Sequence, residues 1–160
     1  MASKISDNGK KLLAKWEGIE NKVYKDAVGL PTIGVGHLLT KDELSSHQLI
    51  IDDTPVNYDN GLNDDQVYDL LAQDLNRFES TVDESVTVDL AQNQFDALVS
   101  FSFNVGTGAF KSSTLLKHLN GGDYNDVPNQ LLRWVKADGK TLQGLVNRRE
   151  NEIKLWMGEI

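Results

Sequence analysis

Residues 89–105, DLAQNQFDALVSFSFNV, place Phe95, Leu98, Val99, Phe101, Phe103 and Val105 within three turns of helix. On a helical wheel these side chains point almost all the way round. The spacing therefore predicts a helix over 89–105, starting at Asp89, with no solvent face and a place at the centre of a helical body. A chain of 160 residues covers such a helix only by giving much of its remaining length to other helices. Gly106 and Gly108 mark its end. Shorter helices follow at 112–119, stopped by Asn120–Gly121–Gly122, then at 124–135 and 142–156.

The upstream sequence reads differently. Residues 63–80 form the clearest amphipathic helix: Val67, Leu70, Leu71, Leu75 and Phe78 keep the 3.6 period. Asn63 and Gln66 have the spacing of a capping box, and Leu62 and Val67 that of a hydrophobic staple. Residues 6–17 read as a first helix, with Gly18 as its C-cap glycine. Between them, 19–36 reads as a small β-hairpin or meander turning at Ala27–Val28–Gly29. Residues 41–60 are mixed, with a short helix over 42–51 and a loop over 52–61. The expectation is a single α+β domain. It has a small β-containing lobe over 18–62 and a larger helical lobe over 63–160, joined by the long helix, with the first helix packed on the second lobe. A cleft between lobes is where binding sites tend to lie.

Composition narrows the function classes. There is no cysteine, hence no disulfide or thiolate chemistry. Net charge is −8, with −12 concentrated in residues 42–90 and small positive balances on either side. The acidic middle reads as a solvated face, and no basic stripe suggests nucleic acid. No apolar leader begins the chain, and no run approaches the roughly 20 apolar residues of a membrane span. The expected place is the cytoplasm of the producing cell, without membrane insertion. His37, His47 and His118 show no mutual ligand spacing, so neither metal nor cofactor is expected.

The chemistry concentrates in KWEGIENKVYKDAVGLPTIGVGH, residues 15–37. Glu17 falls at the end of the first helix, where the macrodipole disfavours a charged carboxylate, and Trp16 beside it offers desolvation. Asp26, at a turn beside Lys25, has the wetter setting that suits an ionised carboxylate. Two acids in opposed environments are the pattern of an acid/base pair. Thr32, across the hairpin, is placed to hydrogen-bond a water held by Asp26.

The order W-E-G, Y-K-D, T-I-G-V-G-H-L-L-T resembles the catalytic segment of the phage-type lysozymes, glycoside hydrolase family 24, those of the T-even phages among them. SFNVGTGAFKSSTLLKHLNGG and LLRWVKADGKTLQGLVNRRENEIKLW resemble later segments of that family, in the same order. The resemblance implies a lysozyme-like α+β fold and cleavage of the β-1,4 bond between N-acetylmuramic acid and N-acetylglucosamine in bacterial peptidoglycan. It implies Glu17 as general acid, with Asp26 and Thr32 positioning the attacking water and inverting the anomeric carbon. Leu38 and Phe103 match substrate-cleft positions, with Asn104 adjoining. Arg148 resembles an arginine paired with the catalytic glutamate. His37 resembles a structural histidine whose partner is Asp74. The implied role is host-cell lysis by a monomeric endolysin, released through a separate holin-type pore. A lytic transglycosylase would need Glu17 alone, and a catalytically silent binding protein would need none of the three; the presence of Asp26 and Thr32 argues against both.

Overall fold

The computed structural model describes residues 3–160. The chain is α+β: eight α-helices, three small antiparallel sheets and one 3-10 turn among the described residues. By spatial proximity it divides into two units. One comprises Leu12–Asn76; the other joins the segment ending at Lys11 to Arg77–Ile160.

The first unit begins within α1 (Asp7–Glu17). Gly18 ends this helix: its N–H donates to the Ala14 carbonyl at 2.8 Å, and its φ of 88° is a conformation that side chains resist. Strands β1 (Glu20–Lys25), β2 (Pro31–Gly34) and β3 (His37–Leu38) form a sheet in that order. The central strand is the apolar one, and Ile33 is fully buried. The turn lies at 27–29, where the hairpin spacing placed it.

Residues 41–60 depart from expectation. The helix α2 covers only Lys41–Ser46, and a second hairpin follows, β4 (Gln48–Ile51) and β5 (Thr54–Asn57). The period-two burial of Gln48–Leu49–Ile50–Ile51 explains it: Leu49 and Ile51 point inward, Gln48 and Ile50 outward. His47 stops the helix in a left-handed conformation, and Asp52 and Asp53 make the hairpin turn, likewise at positive φ. Helix α3 (Asp64–Ser85) starts with the expected capping box. Asn63 Oδ1 accepts the Gln66 N–H at 2.8 Å, and Gln66 Oε1 accepts the Asn63 N–H at 3.0 Å. Gln73 then fixes the second hairpin to α3, accepting the Asp52 N–H at 2.8 Å and donating to the Ile50 carbonyl at 3.0 Å.

The second unit is built around α4 (Gln92–Val105), where residues 95–102 are all buried. The helix starts three residues later than Asp89, because Ala91 provides the N-cap and Gln94 closes on its N–H at 2.8 Å. Gly106 ends it, but Gly108 lies within a further short helix, α5 (Thr107–Lys111). Then come α6 (Thr114–Asn120), a 3-10 turn at Tyr124–Asp126, α7 (Val127–Leu131), a minimal hairpin β6 (Lys136–Ala137) and β7 (Lys140–Thr141), and α8 (Gln143–Trp156). The helix expected over 124–135 is thus reduced to a 3-10 turn and five residues; Pro128, accommodated in the first turn, gives α7 its start. Helix α8 packs on α4, and Asn93 caps it by donating to the carbonyls of Leu155 and Trp156 at 3.1 and 2.9 Å. Burying a side chain such as Phe101 or Leu98 contributes roughly 1.5–3 kcal/mol each.

The start of α1 is fastened to α4 by Asp96. Its carboxylate accepts the Ser6 N–H at 2.9 Å and the Ser6 hydroxyl. A Cβ on Gly9 would lie 2.6 Å from the Asp96 carboxyl carbon, so the approach of the two helices depends on hydrogen at that position.

Candidate functional site

Asp26 folds its own hairpin. Its Oδ1 accepts the N–H groups of Val28 at 3.0 Å and Leu30 at 2.8 Å, while its backbone N–H donates to the Leu30 carbonyl at 2.9 Å. One carboxylate oxygen is therefore committed to the turn, and the side chain is held at a fixed angle on a half-buried edge. Two residues on, the Thr32 hydroxyl donates to the same Leu30 carbonyl at 2.9 Å. With its proton so used, Thr32 Oγ1 faces any neighbour as an acceptor. Thr32 is buried on the central strand, paired with Tyr24 on one side and Leu38 on the other.

Glu17 is the last residue of α1 and is half-buried, next to half-buried Trp16. Tyr24, on β1, is half-buried. Burial raises the Tyr24 phenol above its ordinary 10.0, and the negative charges of Glu20, Glu17 and Asp26 push it further in the same direction. Both acids thus act on one hydroxyl. Sequence reasoning missed Tyr24, though its place in Y-K-D was the available signal.

His37 is clamped between two carboxylates. Nδ1 is 2.8 Å from Asp74 Oδ2 on α3, and Nε2 is 2.9 Å from Glu43 Oε1 on α2. Burial pulls this imidazole down, but hydrogen bonding and charge from Asp74 and then Glu43 outweigh it, so the net shift is upward from 6.5. The same Glu43 oxygen accepts the Thr40 N–H at 2.9 Å, which completes a capping box with Thr40 Oγ1 on the Glu43 N–H. One histidine therefore pins the third strand, the short helix and the long helix together.

The remaining sequence candidates lie in the second unit. Phe103 is half-buried and packs edge-on against Phe78, with centroids 5.1 Å apart. Asn104 is exposed, and its Oδ1 accepts from Arg149 Nη2 at 2.6 Å. Arg148 is buried. Its Nε donates to Glu152 Oε2 at 3.2 Å and to Ser100 Oγ at 3.3 Å, and the Ser100 hydroxyl donates to Glu152 at 2.6 Å. Arg149 is fully buried, 2.7 Å from Glu152 Oε1, with its guanidinium 5.1 Å from the Phe101 ring centroid. Burial pushes the Glu152 carboxyl up, and the two arginines oppose that shift. Arg149, Glu152 and Ser100 were not singled out in the sequence; two arginines followed by an acid three and four residues on were the signal. Among the described residues, one His/carboxylate group, His118 with Asp123 and Asp126, has the donor types and proximity for a metal ion.

Comparison with known proteins places these features in context. The phage lysozyme family matches residues 14–152. The chain is 39% identical over 158 residues to the endolysin of Bacillus phage B103, an alignment covering 96% of this chain and 54% of that protein. It thus spans about half the length of that relative. The endolysin of Salmonella phage P22 is 37% identical over 153 residues, covering 96% of this chain and 97% of that protein. Among solved structures, a P22 lysozyme variant superposes with a TM-score of 0.80 at 34% identity, covering 97% of this chain and 99% of that chain.

Proposed function

The chain belongs to the phage lysozyme family, and from that premise we propose that it hydrolyses the β-1,4 bond between N-acetylmuramic acid and N-acetylglucosamine in bacterial peptidoglycan, with inversion. The observation that supports the assignment is the geometry of the hairpin: Asp26 Oδ1 accepts the Leu30 N–H at 2.8 Å and the Thr32 hydroxyl donates to the Leu30 carbonyl at 2.9 Å, so one turn holds a carboxylate and an acceptor oxygen together.

In this reading Glu17 donates its proton to the glycosidic oxygen as the bond to the anomeric carbon breaks. A water on the opposite face of the ring attacks that carbon. It donates one hydrogen bond to the Asp26 oxygen not used by the turn and another to Thr32 Oγ1, whose own proton is held by Leu30. Its lone pair is thereby left for the oxocarbenium-like carbon, and Asp26 takes the proton. Room for that water requires carboxyls about 6.5–9.5 Å apart, against about 5 Å for a nucleophilic second acid. The products are the two saccharide fragments, one with a new α-configured reducing end.

Digestion of purified peptidoglycan, followed by NMR of the anomeric proton of the first product, tests the reading. The α-anomer is expected to appear first with the native chain, and no product with Glu17→Gln. A first product of β-configuration, a 1,6-anhydro sugar, or full activity in the Gln variant would overturn it.

A further inference from the structure

Residues 118–126, HLNGGDYND, take no part in the reaction just described. The chain doubles back at Gly121–Gly122, where the Asp123 N–H donates to the His118 carbonyl at 3.0 Å. This return brings one imidazole nitrogen and one oxygen from each of Asp123 and Asp126 within 4.8 Å of one another. His118 Nδ1 is 2.6 Å from Asp126 Oδ2, and the same oxygen accepts from Gln130 Nε2 at 2.9 Å. We propose that this turn is a zinc site, with His118, Asp123 and Asp126 as three ligands and water as the fourth.

The donor set selects the ion. One imidazole and two carboxylates suit a borderline cation such as Zn2+, whereas Mg2+ and Ca2+ take oxygen ligands and gain little from the imidazole. The charges agree, since a neutral imidazole with two carboxylates offers −2 to a divalent ion. The His118–Asp126 hydrogen bond accounts for only two of the three groups. Asp123 brings a second negative charge to the same point, and a cation there relieves the repulsion between the carboxylates.

The geometry is close to what coordination needs. Bonds of about 2.0–2.2 Å in a tetrahedron set ligand atoms about 3.3–3.5 Å apart. The short His118–Asp126 contact must open, and the widest separation must close, by roughly an ångström, which side-chain rotation supplies. The His118 and Asp126 side chains are 41% and 24% exposed, so an ion reaches them from solvent without any opening of the core. Gln130, reaching Asp126 from α7, acts as the outer partner that fixes a ligating carboxylate.

The test is calorimetric titration of the chelator-stripped full chain with zinc chloride at neutral pH, on the native protein and on His118→Gln, Asp123→Asn and His47→Gln. One zinc per chain is expected, with a dissociation constant on the order of 10 micromolar. Affinity should fall at least about tenfold in the first two variants and stay unchanged in the third. NMR of the native protein gives a readout that needs no substitution: the His118 ring resonances should move on adding zinc and stay put on adding calcium. Absence of saturable binding to millimolar zinc, binding undiminished in His118→Gln and Asp123→Asn, or a His118 ring indifferent to zinc would each overturn the proposal.

Discussion

Asp26 and Leu30 bond to each other twice, side chain to backbone N–H at 2.8 Å and backbone N–H to carbonyl at 2.9 Å. The proposed water-activating acid is therefore also the residue that shapes its turn, and the two roles separate on substitution. In Asp26→Asn the amide oxygen still accepts from Val28 and Leu30, but the acceptor is now neutral. We expect kcat on peptidoglycan to fall about 10²- to 10⁴-fold, while the thermal midpoint moves by only a few degrees.

Thr32 separates hydroxyl from shape. Thr32→Ser keeps an oxygen bonded to the Leu30 carbonyl; Thr32→Val keeps the volume and loses the oxygen. Leu30 retains the Asp26 N–H as a donor in both. Turbidity clearing by the Val variant should drop about 10- to 100-fold, the worth of one hydrogen bond to a developing charge, with the Ser variant near native.

The Tyr24 phenol reports on both acids. Its titration, followed by ultraviolet absorbance, should lie above 10 in the native protein. Each of Glu17→Gln and Asp26→Asn removes a negative charge that opposes phenolate formation, so each should lower the midpoint. A midpoint unmoved by one of them would place that carboxyl away from Tyr24.

His37 makes stability depend on pH. Its folded pKa is raised above 6.5 by Asp74 and Glu43 against the pull of burial. The stabilisation from the charged imidazole is therefore fully present below about 6.5 and is lost as pH rises through the folded value. Urea unfolding from pH 5 to 9 should show the gap between the native protein and His37→Gln narrowing across that window. Glu43→Gln should shift the window to lower pH.

Arg149 and Glu152 are both fully buried and 2.7 Å apart. Removing one partner strands the other charge. Arg149→Met should therefore cost about 3–5 kcal/mol, measured by chemical denaturation, and the double variant Arg149→Met with Glu152→Leu should recover much of that loss.

Legibility followed the range of the signal. The capping box at Asn63 and Gln66 and the all-apolar stretch before Gly106 are local patterns, and both elements formed, though α3 runs past the expected end at 80 to Ser85 and α4 started later because Ala91 and Gln94 cap it. The β4–β5 hairpin was missed because its turn is Asp52–Asp53 at positive φ rather than a glycine pair, and because four residues of alternation are too few to outweigh helix formers upstream. The His37–Asp74 pairing was named from resemblance. Glu43 escaped because it joins the histidine through the very segment that was misread. The same limit applied at His118, where a search for spaced histidines passed over two aspartates that only the Gly121–Gly122 turn brings back.

The contact between Gly9 and Asp96 leaves a mark that a random-substitution library would reveal. Position 9 has no room even for a methyl group, and any larger side chain must first evict the carboxylate that tethers Ser6. Deep sequencing of survivors should find that codon as intolerant as the apolar interior, while its lysine neighbours drift freely.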